Sequence, residues 1–151
     1  MPLASPSRSI LLAALALLVA ACSAAPSPRP AGPEGVFAAL ARHRVAVVGI
    51  TSGDTGCGDD PALTANAFRV MVRPSGAGQI TPLYLFVFKN AASLEAADDA
   101  VTGCRQRWMM RADITIASDW LVSPYRAFAQ IPEKADAAPI EAALRDAAAG
   151  G

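Results

Sequence analysis

Residues 83–108 read "LYLFVFKNAASLEAADDAVTGCRQRW" and contain the clearest strand and the clearest helix of the chain. The first six of these residues are continuously apolar, which is typical of a central strand covered on both faces. The pattern that follows predicts a helix over residues 94–108, capped by Ser93 and with Glu95 in its first turn, as the helix macrodipole favours. Its apolar positions recur every three or four residues and form one stripe for a sheet to cover: Leu94, Ala97, Val101, Cys104 and Trp108.

The segments on both sides of this stretch predict one α+β domain over residues 33–151. Strands are expected at 44–53, 67–74, 79–90 and 112–118 and from Tyr125 onward, and helices at 33–43, 61–66 and 137–148. The first strand is apolar on both faces, a turn at 75–78 makes a hairpin, and Pro139 falls in the first turn of the last helix. The order favours a mostly antiparallel sheet of about five strands with helices packed on one face, with a ferredoxin-like arrangement as a variant.

Residues 1–21 have the three zones of a secretory signal peptide. A short segment with Arg8 as its one charge precedes the uncharged apolar run ILLAALALLVAA, and small residues precede Cys22. The apolar run is shorter than the roughly 20 residues that a membrane-spanning helix needs. We therefore expect this segment to be removed during export.

The residues at the end of that run, Val19-Ala20-Ala21-Cys22, closely resemble the lipobox of bacterial lipoprotein precursors. The resemblance implies that a diacylglyceryl group is joined to the Cys22 sulfur and that cleavage leaves Cys22 as the first mature residue. Two or more acyl chains hold a protein stably on a bilayer, at about 0.8 kcal/mol for each buried CH₂. Ser23 resembles the residue that directs such proteins to the outer membrane in bacteria that have one. An ordinary signal peptide with an incidental cysteine is the alternative.

Residues 22–32 form a proline-rich tether after the predicted cleavage site. Such a composition favours extended polyproline geometry, about 3.1 Å per residue, so the tether could hold the domain up to roughly 30 Å from the membrane. Removal of residues 1–21 takes away Arg8 alone among the charged residues, which leaves 12 basic and 13 acidic side chains. This balance argues against a nucleic-acid partner and against a polybasic membrane patch.

Cys57 and Cys104 are the two cysteines of the predicted domain. Export would place them where disulfides persist, and an even pair is most simply one bridge. Two free thiols or a redox pair are the alternatives, but the spacing is far from the C-x-x-C of a thioredoxin-like site. We therefore expect a structural Cys57–Cys104 disulfide.

The loop "TSGDTGCGDD" at 51–60 carries three carboxylates, Asp54, Asp59 and Asp60, and carboxylate oxygens can hold Ca²⁺. However, their spacing does not match an EF-hand loop, and no glutamate closes the set. The glycines of the loop suit a phosphate, but no G-K-[ST] follows them. We expect a turn-rich loop pinned by Cys57, with Asp59 or Asp60 capping a helix, and neither a metal nor a cofactor.

Two further features suggest chemistry but have simpler explanations. His43 is the one histidine, and at the end of the first helix it complements the helix dipole, so neither a catalytic triad nor a zinc site is expected. The stretch "RQRWMMR" at 105–111 interleaves basic and aromatic residues as nucleic-acid grooves do. Because Trp108 belongs to the apolar stripe, we interpret the arginines as a solvated helix end.

An aromatic cluster near the bend at Ser123-Pro124 is the candidate ligand contact. Tyr125 and Phe128 have different parity on a strand, so they should face opposite sides of the sheet. If Phe128 is buried, Tyr125 and Arg126 could line an exposed rim together with Trp120. A small molecule or an envelope protein could bind there.

The sequence therefore predicts a lipid-anchored protein of the cell envelope with one small disulfide-stabilised domain that binds or serves a structural role. The alternative is a small exported enzyme that uses the loop carboxylates, since paired carboxylates can perform acid–base catalysis. An enzyme requires these acids to converge in a cleft, whereas a binding module requires an exposed apolar or aromatic patch. The sequence itself names no catalytic set.

Overall fold

The computed structural model describes residues 28–74 and 79–151. The predicted signal peptide, Cys22 and the turn predicted at 75–78 lie outside the described residues. The helices are α1 (Pro33–Arg42), α2 (Pro61–Thr64), α3 (Ala91–Arg111) and α4 (Lys134–Ala148), and the strands are β1 (Ala46–Ser52), β2 (Ala67–Arg73), β3 (Thr81–Val87), β4 (Ser118–Val122) and β5 (Tyr125–Ala129). Within these two ranges, no helical segment combines the length and the hydropathy that a bilayer span requires.

The five strands form one antiparallel sheet in the order β1-β2-β3-β5-β4. The continuously apolar strand β3 lies at the centre of this sheet, as predicted, with β2 and β5 as its neighbours. The α+β class and the antiparallel five-stranded sheet are therefore confirmed. A ferredoxin-like order is not adopted, because β1 and β2 are direct neighbours with only the short helix α2 between them in the chain.

Helices cover both faces of the sheet, so the expectation of helices on one face is corrected. Leu83 and Leu85 of β3 pack with α1 and α4 in one cluster of buried side chains. Tyr84 and Phe86 point the other way and pack with α2 and α3 in a second cluster. Alternate residues of a strand face opposite sides, so an uninterrupted apolar strand requires a cover on each face.

The side chains of the edge strand β1 are less buried than its apolar sequence predicts. The expectation was a strand apolar on both faces, and the exposed fractions of Val48 and Ile50 are 49% and 47%. The register with β2 shifts between Val47 and Gly49, which marks a β-bulge. Bulges at sheet edges hinder the addition of further strands.

Helix α3 is longer than predicted at both ends. Its N-cap is Asn90, not Ser93, because the Asn90 side chain accepts a hydrogen bond of 2.9 Å from the Ser93 backbone N–H. The helix continues to Arg111, and the Ile114 N–H then bonds to the Met109 carbonyl at 2.9 Å. The predicted strand at 112–118 is therefore wrong: these residues mainly form the return from the helix end to the sheet, and the strand begins at Ser118.

Helix α4 begins earlier than predicted, at Lys134 instead of residue 137. The Glu133 carbonyl accepts hydrogen bonds from the N–H groups of Asp136 and Ala137, and these bonds form the additional first turn. Pro139 consequently lies inside the helix and not in its first turn. The helix packs on the sheet through Ile140, Leu144 and Ala147, which are all fully buried.

Candidate functional site

The disulfide between Cys57 and Cys104 is confirmed, with an S–S distance of 2.03 Å and a Cα–Cα distance of 5.2 Å. Cys104 belongs to the buried stripe of α3 and is inaccessible to solvent. Cys57 lies in the loop between β1 and α2 and is partly exposed. The bond therefore joins the glycine-rich loop to the C-terminal half of the long helix.

Three arginines from two elements also contact this loop. Arg69 of β2 forms an ion pair with Asp54 at 3.2 Å, and Arg107 of α3 forms one with Asp60 at 3.2 Å. Arg111 of α3 donates a hydrogen bond to the Gly56 carbonyl. The loop is consequently attached to β2 and α3 independently of the disulfide.

Hydrogen bonds within the loop fix its shape. The Asp54 carboxylate accepts a bond of 2.9 Å from the Gly56 N–H, and the Thr55 hydroxyl donates one of 2.7 Å to the Gly58 carbonyl. Thr55 is buried. Because its hydroxyl donates to the Gly58 carbonyl, this buried side chain is not left without a hydrogen-bond partner, which would be costly.

Gly56 lies directly against the ring of Tyr84. Its φ is +74°, and a Cβ placed there would be 2.4 Å from the Tyr84 Cε1 atom. Burial beneath the loop is the main reason why the pKa of the Tyr84 hydroxyl is raised, and the nearby Asp54 carboxylate raises it further. Only glycine permits this close approach of the loop to the sheet.

Replacing Gly56 with alanine should destabilise the domain by about 2–4 kcal/mol, because the new side chain adds backbone strain to a clash with Tyr84. Urea unfolding monitored by circular dichroism measures the change. Gly103→Ala is the matched control: Gly103 lies within α3, and its nearest contact is the flexible end of Arg107 at 3.6 Å. Equal stability of the Gly56 variant and the wild type would contradict the packing described for this loop.

The three loop carboxylates do not converge on one point. Asp54 pairs with Arg69 of β2 and Asp60 with Arg107 of α3, while Asp59 is exposed. Asp60 occupies the N-cap position of α2, but its side chain makes no capping hydrogen bond. Among residues 28–74 and 79–151, no three His, Cys, Asp or Glu side chains are grouped closely enough to hold a metal ion.

Trp120, Tyr125 and Arg126, predicted as possible ligand contacts, are all buried, so the expectation of an exposed rim is corrected. Tyr125 and Phe128 do face opposite sides of the sheet, as predicted. The Tyr125 hydroxyl donates to the carbonyls of Ala31, at 2.7 Å, and Ala147, at 3.2 Å. Burial raises the pKa of this hydroxyl, and its bonds to Ala31 and Ala147 hold the chain that precedes α1 against α4.

Arg126 forms an ion-pair network between β5, β4 and α3. It donates to Asp98 at 3.0 Å and to Asp119, and Asp119 also lies 3.5 Å from Arg105. The exposed fraction of the Arg126 side chain is 10%. Its charge is thus neutralised within the domain instead of being presented to a ligand.

The basic residues of "RQRWMMR" are likewise used within the domain. Arg105, Arg107 and Arg111 contact Asp119, Asp60 and the Gly56 carbonyl respectively. Trp108 is buried against Tyr84 and Phe128, with ring centroids 5.6 Å and 5.0 Å apart. The sequence analysis did not predict these contacts of the three arginines. The one available signal was the presence of basic residues on α3 and acidic residues on other elements.

His43 is the C-cap residue of α1, where the sequence placed it. Its Nε2 atom lies 3.3 Å from the Asp146 carboxylate, and Arg42 donates to the same oxygen at 3.0 Å. The hydrogen bond from Arg42 is the main reason why the pKa of Asp146 is lowered. This cluster joins the ends of α1 and α4.

Asp146 should make the stability of the domain depend on pH in the acidic range. A lowered folded-state pKa stabilises the fold above the unfolded value, and this stabilisation is lost as pH falls through the folded pKa. We expect Asp146→Asn to lower Tm near pH 7 and to leave it almost unchanged near pH 2, with a small effect because the pair is exposed. Glu141→Gln, which alters another exposed pair of α4, is the control. A Tm difference that is the same at both pH values would contradict this assignment.

Comparison with protein-family models, with curated proteins and with solved structures finds no match for this chain. The structure itself defines the chain as an α+β domain with a Cys57–Cys104 disulfide.

Proposed function

We propose that the chain is the precursor of a membrane-anchored lipoprotein of the cell envelope, and that residues 33–151 form a binding or structural domain. The observation that carries this proposal is the sequence Val19-Ala20-Ala21-Cys22 at the end of an uncharged apolar run. Lipid joined to Cys22 would fasten the mature chain to the extracytoplasmic side of a membrane, the outer membrane where there is one.

The disulfide supports an exported location. Bonds of this kind persist in oxidising compartments and are rare in the cytosol. The chain has three cysteines, of which Cys57 and Cys104 are bonded to each other. Cys22, the third, precedes the domain and is the residue at which the resemblance places the lipid.

The start of the domain suits a tethered arrangement. The Ala31 N–H bonds to the Ala147 carbonyl at 2.9 Å, and the Tyr125 hydroxyl bonds to the Ala31 carbonyl. The chain is thus fixed to the domain at Ala31, and Pro28 and Arg29 also lie beside Gly150 just after α4, so the tether would be the part of the chain that precedes them.

The arrangement of side chains favours binding over catalysis. The loop acids pair with separate arginines instead of meeting in a cleft. Val48 and Ile50 on β1 are instead large apolar side chains that remain about half exposed. Contiguous exposed apolar patches are typical of contact surfaces, and these two residues lie two positions apart on the same edge strand.

Fractionation of cells that express the Cys22→Ala variant tests the anchor. Wild-type protein should sediment with membranes, resist a high-salt wash and be released by detergent, because its attachment is hydrophobic and not ionic. The Cys22→Ala variant should lose this behaviour. The Cys57→Ala/Cys104→Ala variant is the control and should remain on membranes. Salt-resistant membrane association of the Cys22 variant would overturn the proposal.

A further inference from the structure

The two sulfur atoms of the disulfide differ sharply in their surroundings. Cys104 is fully buried, whereas Cys57 is partly exposed. Thiol–disulfide exchange begins when a thiolate attacks one sulfur atom and the other sulfur leaves, and access decides which sulfur is attacked. An external thiolate can therefore reach Cys57 but not Cys104.

A cation lies beside the accessible sulfur. The Nη2 atom of Arg107 is 3.7 Å from the Cys57 Sγ atom, and the same nitrogen is 3.2 Å from the Asp60 carboxylate. A neighbouring guanidinium stabilises a cysteine thiolate and attracts an anionic attacking group, although Asp60 offsets part of its charge. On the other side, the Cys104 Sγ atom lies 3.3 Å from the Thr55 carbonyl oxygen, which would accept a hydrogen bond from a neutral thiol.

We propose that Cys57 is a thiol-exchange site that takes a small-molecule thiol. The thiolate attacks the Cys57 sulfur, the Cys57–Cys104 bond breaks, and a mixed disulfide forms on Cys57. Cys104 leaves as a thiolate, takes a proton from solvent and becomes the buried thiol beside Thr55. A second thiol then releases Cys57 as a thiolate, so that two thiols are oxidised to one disulfide and the protein disulfide is reduced.

The contacts of the loop make this exchange reversible. The Arg69–Asp54 and Arg107–Asp60 ion pairs and the bond from Arg111 to the Gly56 carbonyl do not depend on the disulfide. They keep Cys57 near Cys104 after the bond opens, so Cys104, once it has lost its proton to solvent, can attack the Cys57 sulfur as a thiolate, release the small-molecule thiolate and close the bond again. The proposal concerns the domain alone and does not depend on the lipid anchor.

Two single-cysteine variants of the domain test which sulfur reacts. Cys104→Ala retains Cys57, and Cys57→Ala retains Cys104; each is incubated with oxidised glutathione, and the mixed disulfide is measured by mass spectrometry. We expect Cys57 to react at least about tenfold faster than Cys104, because burial and thiolate fraction both favour it. Near-ultraviolet circular dichroism establishes that both variants are folded. Equal reactivity, or faster reaction at Cys104, would overturn the proposal.

Wild-type protein provides a measurement that does not depend on the folding of variants. Its disulfide is reduced with rising concentrations of glutathione under native conditions, and the new thiols are trapped by alkylation. Direct attack at Cys57 predicts a rate that increases in proportion to the thiol concentration. A rate that reaches a plateau equal to the rate of global unfolding would mean that the bond opens only in the unfolded chain, and it would reject the site.

Arg107→Gln in the Cys104→Ala background tests the role of the guanidinium. The midpoint of the pH–rate profile for Cys57 should move to higher pH, and the rate near neutral pH should fall severalfold, because each pKa unit changes the thiolate fraction about tenfold. Arg111→Gln is the matched control, since it removes the same charge from the same helix but contacts the Gly56 carbonyl and not the sulfur. Identical profiles for the two variants would exclude a specific role for Arg107.

Discussion

Replacing both Cys57 and Cys104 with alanine should lower the free energy of unfolding by about 4 kcal/mol. The bond closes a loop between residues 47 positions apart, and the chain-entropy estimate for a loop of this length gives that value. Such a loss is a large part of the 5–15 kcal/mol by which single domains are typically stable. Urea unfolding of the variant and of the oxidised wild type measures the difference.

Reduced wild-type protein is the matched control for this experiment. It lacks the bond but keeps both sulfur atoms, so it separates the effect of the cross-link from any effect of the smaller alanine side chains on packing. Most of the loss should appear in the reduced wild type. A difference below about 1 kcal/mol between oxidised and reduced protein would contradict the chain-entropy account.

Arg126→Met should cost about 3 kcal/mol. The substitution leaves Asp98 and Asp119 without their shared partner, and removing one member of a buried ion pair typically costs 3–5 kcal/mol. The lower end of that range applies because the exposed fraction of Asp98 is 39% and Arg105 remains beside Asp119. Equilibrium unfolding in urea measures this cost.

Two further variants identify the source of the Arg126 effect. Asp98→Asn removes only the more exposed partner and should cost less than about 1 kcal/mol. Arg126→Met combined with Asp119→Asn should be less destabilised than the sum of the two single variants, because the double change leaves no unpaired charge at Asp119. If Arg126→Met costs no more than Asp98→Asn, the network contributes little to stability.

The elements with strong local patterns were the ones that the sequence predicted well. The continuous apolar run of β3 indicated a central strand, and the stripe from Leu94 to Trp108 indicated the buried face of α3. Both patterns depend on the period of a single element. The disulfide was predictable because only two cysteines follow Cys22.

Features that depend on distant partners were not predictable in this way. Parity placed Tyr125 and Phe128 on opposite faces correctly, but it could not show that α1 and α4 cover the Tyr125 side. Arg126 is buried only because Asp98 and Asp119, from two other elements, neutralise its charge. The alternation of Ile114 and Ile116 indicated a strand, but the preceding helix extends to Arg111, and residues 112–117 return the chain to the sheet, where the strand begins at Ser118.

The contacts of the loop from Gly53 to Asp60 at the candidate site also depend on distant residues. Its glycines and acids predicted a turn-rich structural loop pinned by Cys57, but not the contacts that its acids make. The structure places Gly56 against Tyr84 and directs Asp54 and Asp60 to separate arginines. Which arginine meets which acid depends on the packing of β2 and α3 beside the loop, and no local pattern contains that information.

The intact mass of the protein extracted from membranes with detergent tests the central claim most directly. The account predicts a chain that begins at Cys22, is heavier than the polypeptide by its acyl groups, and is two hydrogens lighter when reductant is omitted. The contradictory result is an uncleaved chain in the cytoplasmic fraction with its first 21 residues present and all three cysteines reduced. That result would remove the anchor and the exported location together.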